Sequence, residues 1–442
     1  MKRHIYAQLL TWKRSDRRKP LILKGARQVG KTFILEVFGQ HEYDEVIYLN
    51  FEQNKRLETL FQTDLDPQLI LEGIHLLTGK NPLLPNTLII FDEVQQCPNA
   101  ITALKYFYEQ APHIHLIAAG SLLGVKLSQA VHFPVGKVNF LDLYPMTFFE
   151  FLEALGLSHL TEHLNAKTNF DPLPDFLHQT LLEWLKKYFI IGGMPEVVKT
   201  YIDTKNIEQA LLVQQEILKS YTHDFSKYAD SSEIMKIMEI WDKIPAQLAR
   251  ENKKFMFSAI KHSARARDYE VALQWLLNAG LILKASHISA PKLPLDSYGD
   301  PHIFKIFLLD TGLLSCLSDI EPAIILDANI LFQEFKGALT ENFVAQELTV
   351  ALNKKLHYWS SESVAEIDFI LNIAAHIYPL EVKSGTTKHK KSLLSYASKY
   401  QPPLMLRASP MNFYRDNQFC NIPLYAIKLF SSILQPTKAI EE

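Results

Sequence analysis

The sequence predicts an α/β protein in three stretches, and three observations lead there. Short, almost wholly apolar runs alternate with helical patterns over the first third. A glycine-rich turn from Gly25 to Thr32 separates one such run from the helix that follows. The rhythm changes to helices after Gly136, then returns to mixed strands and helices in the last third. Apolar strands alternating with helices imply a parallel sheet covered on both faces, since a strand buried on both sides has no polar alternation to show. The predicted divisions are residues 1–145, a parallel sheet with helices; 146–300, a helical and winged-helix-like middle; and 301–442, a second α/β domain.

The elements follow in order. Strands are expected at 21–23, 46–51, 87–91 and 115–119, with helices at 32–38, 66–78 and 100–108 between them. Helices follow at 146–155, 177–190 and 207–221. Residues 254–283 read as helix, turn, helix and strand, which is the winged-helix-like part. The run 289–300, with Pro291, Pro294 and Gly299 and Pro301 at its edge, marks a loop or boundary. Further on, a helix is expected at 337–353, strands at 357–361, 366–371 and 377–382, a helix at 388–400, and strands at 404–406 and 424–429.

Bulk properties narrow the function classes. A length of 442 residues accommodates two or three domains. The net charge of −2 excludes a uniformly basic coat for nucleic acid, though not local patches. Cys97, Cys316 and Cys420 are far apart and form no CxxC pair, which reads as reduced thiols and not as a disulfide framework or zinc site. The first residues are too polar for a signal peptide and no apolar run is long enough to span a bilayer, so a cytoplasmic protein without a membrane partner is expected. No G-x-S-x-G or HExxH is present, and the histidines have no metal-ligand spacing.

Residues Gly25, Ala26, Arg27, Gln28, Val29, Gly30, Lys31 and Thr32 match G-x-x-x-x-G-K-[ST] in full, between a strand and a helix as that motif requires. Gly25 and Gly30 permit a backbone path that aims successive N–H groups at phosphate oxygens, and the helix beginning near Lys31 adds its positive end. Lys31 is then expected to reach the β- and γ-phosphates of ATP, and the Thr32 hydroxyl to bind magnesium. A second signal is TLIIFDE, an apolar strand ending in two acids. The C-terminal end of a parallel strand faces the ligand crevice, so Asp92 is placed beside the magnesium and Glu93 where it can activate the attacking water. Ser121, at the end of HLIAAGS, reads either as a group that orients that water or as a helix cap.

GARQVGKT, IIFDEVQQCPNA, LIAAGSLLG, LYPMTFFEFL and GGMPEVV, in that order, resemble a large prokaryotic group of AAA-type ATPases whose C-terminal half is a domain of unknown function. The resemblance covers nearly the whole chain. It implies an AAA+ module in the first half, with ATP and magnesium, and raises the prospect of homo-oligomers. In that family a Gly-Arg pair often precedes the LYP-x-x-F segment; here the pair is Gly136-Lys137. Lysine brings charge without the bidentate fork of arginine, so Lys137 reads as a weaker finger on the γ-phosphate of a neighbouring subunit or as a solvated residue at a turn.

Glu341 on a helix, Asp368 on a strand, and Glu381 and Lys383 on the next strand resemble the core of PD-(D/E)xK nucleases, and the family's C-terminal domain looks like that restriction-endonuclease-like fold. Strand residues two apart share a face, so Glu381 and Lys383 are expected at one site. Asp368 and Glu381, with Glu341 assisting, would ligate magnesium at a phosphodiester, and Lys383 would stabilise developing charge. Two basic clusters suggest nucleic acid as a partner: Lys388, His389, Lys390 and Lys391, and Lys13, Arg14, Arg17, Arg18 and Lys19. Arg265 and Arg267 fit either a nucleic-acid-reading turn or an ATPase interface. Three functions stay open at this point: an ATPase coupled to a nuclease-like domain that acts on or binds nucleic acid, an ATPase whose C-terminal domain binds a partner and cuts nothing, and a nucleic-acid-stimulated motor.

Overall fold

The computed structural model describes residues 1–121, 124–125, 136–229, 231–250, 254–261, 264–326, 333–361, 365–386 and 390–434. The chain divides into two units, Met1–Tyr144 with Asn278–Leu281, and Pro145–Leu277 with Ile282–Glu442. Helical middle and C-terminal α/β region therefore belong to one unit. The expected boundary at residue 300 falls inside a strand, Gly299–Leu308, because the Pro- and Gly-rich run before it turns the chain between two paired strands.

The first unit is built on strands β1 (Leu21–Lys24), β2 (Glu45–Asn50), β3 (Thr87–Asp92), β4 (His115–Ala119) and β5 (Asn139–Asp142). They form one sheet in the order β2-β3-β4-β1-β5, and every neighbouring pair is parallel. All six residues of β3 are buried, as its apolar run requires. Strand β5 has no such run, since its residues are half-buried or exposed, and it escaped sequence reading for that reason. Helices α1 (Ile5–Lys13), α2 (Lys31–Glu42), α3 (Pro67–Thr78) and α4 (Pro98–Gln110) complete the unit. Local chemistry sets their ends: Asp66 caps α3 by accepting from the Gln68 N–H, Pro67 occupies its first turn, and left-handed Gly79 closes it. Phe51, Phe61, Phe91 and Phe107 form an aromatic chain inside the core, with Phe91 edge-on to Phe51 at 5.6 Å.

The second unit opens with helices α5 (Phe148–Ala154), α6 (Ser158–Asn165), α7 (Asp175–Ile191), α8 (Pro195–Thr204), α9 (Ile207–Tyr228), α10 (Ser231–Leu248) and α11 (Ala266–Asn278). Strands β6 (Ile282–Ile288), β7 (Gly299–Leu308), β8 (Leu356–Ser360) and β9 (Glu366–Ile367) make a sheet in the order β7-β6-β8-β9. Within 254–283 the first of the two expected helices is a 3-10 turn, Phe257–Ala259, before α11 and β6, and β6 pairs antiparallel with β7 and in parallel with β8, so the pair is part of a larger sheet and not a free wing. A second sheet has the order β10-β11-β12-β14-β13, from β10 (Phe369–Ile373), β11 (His376–Val382), β12 (Met405–Ser409), β13 (Tyr414–Asp416) and β14 (Phe419–Pro423). The single strand expected at 366–371 is thus two, interrupted at Asp368. The strand expected at 424–429 is a buried 3-10 segment, Leu424–Leu429, which starts where Pro423 ends β14.

Helices α12 (Thr311–Leu317), α13 (Pro322–Leu326), α14 (Gln333–Leu352), α15 (Lys391–Tyr400) and α16 (Phe430–Leu434) complete the list. Helix α14 carries buried polar side chains, each engaged elsewhere. The Asn342 side chain takes the Leu308 N–H at 2.7 Å and donates to the Leu308 carbonyl at 3.1 Å. Gln346 accepts from the Thr311 N–H at 3.0 Å and donates to the Tyr188 hydroxyl at 2.8 Å. Glu347 accepts from the Phe148 N–H at 2.8 Å, at the start of α5, where Thr147 and Glu150 form a capping box.

Glu347 yields a test of this core. Burial, with Glu150 nearby, pushes its carboxyl up to about 8. The folded state therefore holds a proton that the unfolded state, near ~4.3, has released. Stability falls as pH rises between those values, with a slope of at most ~1.4 kcal/mol per pH unit. Denaturant melts from pH 5 to 8 should show that decline. Glu347→Gln, which keeps an acceptor for Phe148, should flatten it.

Candidate functional site

The order β3-β4-β1 brings the ends of three parallel strands to one edge, and the residues singled out in the first unit leave from those ends. Between β1 and α2 the loop Gly25–Lys31 takes a path that side chains resist. Gly25 has φ +152, and a Cβ there would lie 2.3 Å from the Leu143 carbonyl oxygen; Gly30 has φ +93. Gln28 is also left-handed, at φ +65. Ala26 and Val29 are buried under the loop, while Arg27 is half-buried and Gln28 exposed. Lys31 is 6% exposed and donates to the Gly25 and Ala26 carbonyls at 2.9 and 2.8 Å. Burial lowers its ammonium to about 8, against the pull of Glu93 and Asp92.

Thr32, on the first turn of α2, donates its hydroxyl to Asp92 Oδ2 at 2.9 Å. Asp92 Oδ1 accepts the Glu93 N–H at 2.9 Å. Glu93 stands in the left-handed region at φ +51, and its Oε2 accepts from the Ser121 hydroxyl at 2.9 Å, from the Ser121 N–H at 3.3 Å and from the Gln95 amide. Ser121 thus touches the Glu93 carboxylate directly.

Three contributors had no signal in the sequence. Tyr48, at the end of β2, donates its hydroxyl to Asp92 Oδ2. Gln95 looks like any polar residue of a turn. Arg3, 5% exposed, donates to the Val29 carbonyl at 2.9 Å and the Tyr144 carbonyl at 2.6 Å, and so braces the loop from behind. Only the end-to-end alignment of β2 with β3, Asn50 opposite Asp92, hints at Tyr48.

The C-terminal constellation comes together differently from expectation. Glu341 on α14 and Asp368, between β9 and β10, both face Lys305 of β7, whose Nζ lies 2.9 and 3.7 Å from them. Glu366 joins them at 2.5 Å. Burial works against the Lys305 ammonium, but Glu341, Glu366 and Asp368 outweigh it and hold the group protonated. Glu381 on β11 instead meets Arg407, its register partner on β12, at 2.9 Å, and Lys383 at 3.1 Å. Asp368 Oδ2 also accepts the Val382 N–H at 2.7 Å. Glu341, Asp368 and Glu381 were expected to share magnesium. Among the described residues no group of three or more His, Cys, Asp or Glu side chains is placed to hold a metal; Glu341 and Asp368 are paired with Lys305, and Glu381 with Arg407. The donor set does not fit a metal here.

Of the basic residues, Lys388 and His389 lie outside the described residues. Lys390 lies 3.5 Å from the centre of the Phe419 ring. Lys13, Arg18 and Lys19 are turned to their own unit: Lys13 meets Glu42, Arg18 donates to the Lys13 carbonyl at 3.0 Å, and Lys19 to the Gly136 carbonyl at 2.6 Å. Lys137 pairs with Glu109 of the same chain at 3.1 Å. Arg265 and Arg267 are exposed at the start of α11, Arg267 beside Asp268.

Residues 17–152 match a family described as an AAA domain; residues 182–323 and 336–427 match two families described only as domains of unknown function. An uncharacterised protein of Methanocaldococcus jannaschii is 26% identical over 202 residues, 45% of this chain and 39% of that protein. An uncharacterised protein of Mycobacterium tuberculosis is 33% identical over 84 residues, 19% of this chain and 18% of its own. The aligned part thus spans well under half of these curated relatives. Among solved structures, the Walker-type ATPase of Pyrococcus abyssi aligns with 72% of this chain and 95% of its own, at 14% identity and a TM-score of 0.45. The Orc1 protein of Aeropyrum pernix in complex with DNA aligns with 72% and 93%, at 13% identity and a TM-score of 0.30. The matched domain and the complete glycine-rich motif together make the first unit an AAA-type, nucleotide-binding P-loop domain. Among the described residues, no helix is long and apolar enough to cross a membrane.

Gly25 gives the direct test of the loop. A methyl group there meets the Leu143 carbonyl at 2.3 Å in a backbone region that side chains avoid. Gly25→Ala should abolish binding of a fluorescent ATP analogue and lower the melting temperature, corresponding to a loss of ~1–3 kcal/mol. Binding at wild-type affinity would mean that the loop does not hold the phosphates.

Proposed function

We propose that this protein hydrolyses ATP with magnesium at the edge formed by β1, β3 and β4. The observation that carries the proposal is the convergence there of Lys31, the Thr32–Asp92 pair and the Ser121–Glu93 pair. The donors suit magnesium: a hydroxyl and a carboxylate oxygen 2.9 Å apart are hard ligands, and this ion takes one or two protein oxygens, with phosphates and water completing its shell. Magnesium would draw charge from the β- and γ-phosphate oxygens. Lys31 exchanges the Gly25 and Ala26 carbonyls for those same phosphates, and the loop N–H groups meet the remaining oxygens. Glu93 takes a proton from the attacking water, and Ser121 and Gln95 set the direction of its carboxylate.

Three substitutions separate these roles. Lys31→Ala should abolish ATP binding. Glu93→Gln should leave binding intact and lower kcat by ~10²–10⁴, the range for a lost general base. Ser121→Ala should lower kcat less than Glu93→Gln, with ATP affinity unchanged. Because Lys31 sits near 8 without nucleotide, ATP affinity should fall as pH rises past that value. Hydrolysis persisting in Lys31→Ala would sink the proposal.

For the second unit, the sequential order α14, β8, β9–β10, β11, α15, β12 supports the restriction-endonuclease-like reading, and the cations on Glu341, Asp368 and Glu381 favour binding over cutting. We read this part as a module that contacts nucleic acid or another partner while the first unit turns over ATP. Half-exposed Lys383, with Lys390 and Lys391 on the chain segment after it, is the surface offered to a phosphate backbone. Fluorescence anisotropy with single- and double-stranded DNA and RNA at two salt concentrations tests the nucleic-acid reading. Binding should weaken with salt and in Lys383→Ala with Lys390→Ala, and no strand should be cut. Absence of binding to every nucleic acid would leave a protein partner as the reading. A second copy of the chain, with Lys137 at the γ-phosphate, requires Lys137 to leave Glu109. Lys137→Ala should then slow hydrolysis without altering affinity.

A further inference from the structure

The strongest unused feature of the molecule is the fully buried Lys305. It lies on β7 between Phe304 and Ile306, and none of its side chain is exposed. Three carboxylates from separate parts of the second unit converge on its Nζ: Glu341 of α14 at 2.9 Å, Glu366 of β9 at 2.5 Å and Asp368 at 3.7 Å. The Tyr358 ring closes another side, its centre 4.9 Å from Nζ. The fourth acid of the constellation, Glu381, has its own buried cation in Arg407, which is 2% exposed.

We infer that Lys305 is the resident cation of this pocket: its ammonium fills the space among Glu341, Glu366 and Asp368, the first and last of which the resemblance to metal-dependent nucleases assigns to a divalent ion, and it closes that space to metal. A divalent ion needs carboxylate oxygens at about 2.0–2.6 Å in a shell of six or more. Here the ammonium holds the centre of the group, and Asp368 Oδ2 already accepts from the Val382 backbone. A second cation in the same space would face the ammonium at close range, and like charges repel strongly there. Lysine is a compact charge with three donors, which suits three carboxylates around one point. The acids thus serve as a fixed crosslink between β7, α14 and the β9–β10 junction. The inference concerns metal occupancy alone and stands or falls apart from ATP hydrolysis in the first unit.

Removing the lysine should create a metal site. The probe is terbium, whose emission is sensitised by a nearby phenol, here Tyr358. The full chain would carry Asp92→Asn throughout, which removes a carboxylate of the first unit from the competition. With Lys305 in place, terbium titration should give no emission that depends on Asp368. Lys305→Ala should gain such emission with an affinity at least tenfold tighter than any signal of its parent. Adding Asp368→Asn should abolish the gain, and manganese should compete it away. Circular dichroism confirms the fold of each variant. Two outcomes overturn the inference: terbium or manganese bound by the parent and lost in Asp368→Asn, or a folded Lys305→Ala that takes up no metal. Should Lys305→Ala not fold, Lys305→Gln, which keeps much of the stem, replaces it with the same readings. The parent arm decides the matter independently of both.

Discussion

A buried ammonium must be met by oxygen, and much of this protein's chemistry follows from how two lysines satisfy that demand. Removing a charge from water is costly unless it is paired and hydrogen-bonded. Lys31 is met by two backbone carbonyls, dipoles without net charge, and its burial lowers its affinity for a proton in spite of Glu93 and Asp92 nearby. It is under-compensated, and anionic phosphate oxygens would satisfy it better. Lys305 is met by three carboxylates and holds its proton firmly. One residue type, buried in both cases, is left in one place with only dipoles to meet it and is met in the other by full negative charges.

The same accounting of polar groups organises the frameworks around them. In the first unit, parallel pairing sends the ends of β1, β3 and β4 to one edge, so residues far apart in sequence meet without long loops. Arg3 and Tyr48 then hold backbone and carboxylate where the strands leave them. In the second unit, α14 is the element that turns buried polarity into position. Asn342, Gln346 and Glu347 fix the end of β7, the start of α12 and the start of α5. A helix so furnished cannot rotate or slide without breaking several bonds at once, which makes it a rigid reference for its neighbours.

What the sequence made legible was local. The glycine-rich turn, the apolar run before Asp92 and the change of rhythm after Gly136 each lie within a few residues, where backbone geometry and burial act directly. What it hid was non-local. Lys305 sits inside an apolar strand, and nothing near it announces that its partners lie 36, 61 and 63 residues onward. Arg407 is equally isolated in its strand, though it defines the environment of Glu381. The constellation of Glu341, Asp368, Glu381 and Lys383 was therefore visible as a set of acids with one lysine, while the two buried cations that change its chemistry were not. Strand β5 and the 3-10 segment after Pro423 were missed for a simpler reason: one lacks an apolar run, and the other has a strand-like one.

The left-handed backbone at Glu93 sets folding against chemistry. A residue with a Cβ in that conformation costs about 1–2 kcal/mol that glycine would avoid. At this bend the Glu93 N–H donates to the Asp92 carboxylate, and the Glu93 carboxylate meets the Ser121 hydroxyl. Glycine would make this turn more comfortable and leave nothing at its tip. With Glu93 in its proposed role, this is a stability–activity trade-off at a single residue: glycine at position 93 would relieve the backbone cost and remove the acid.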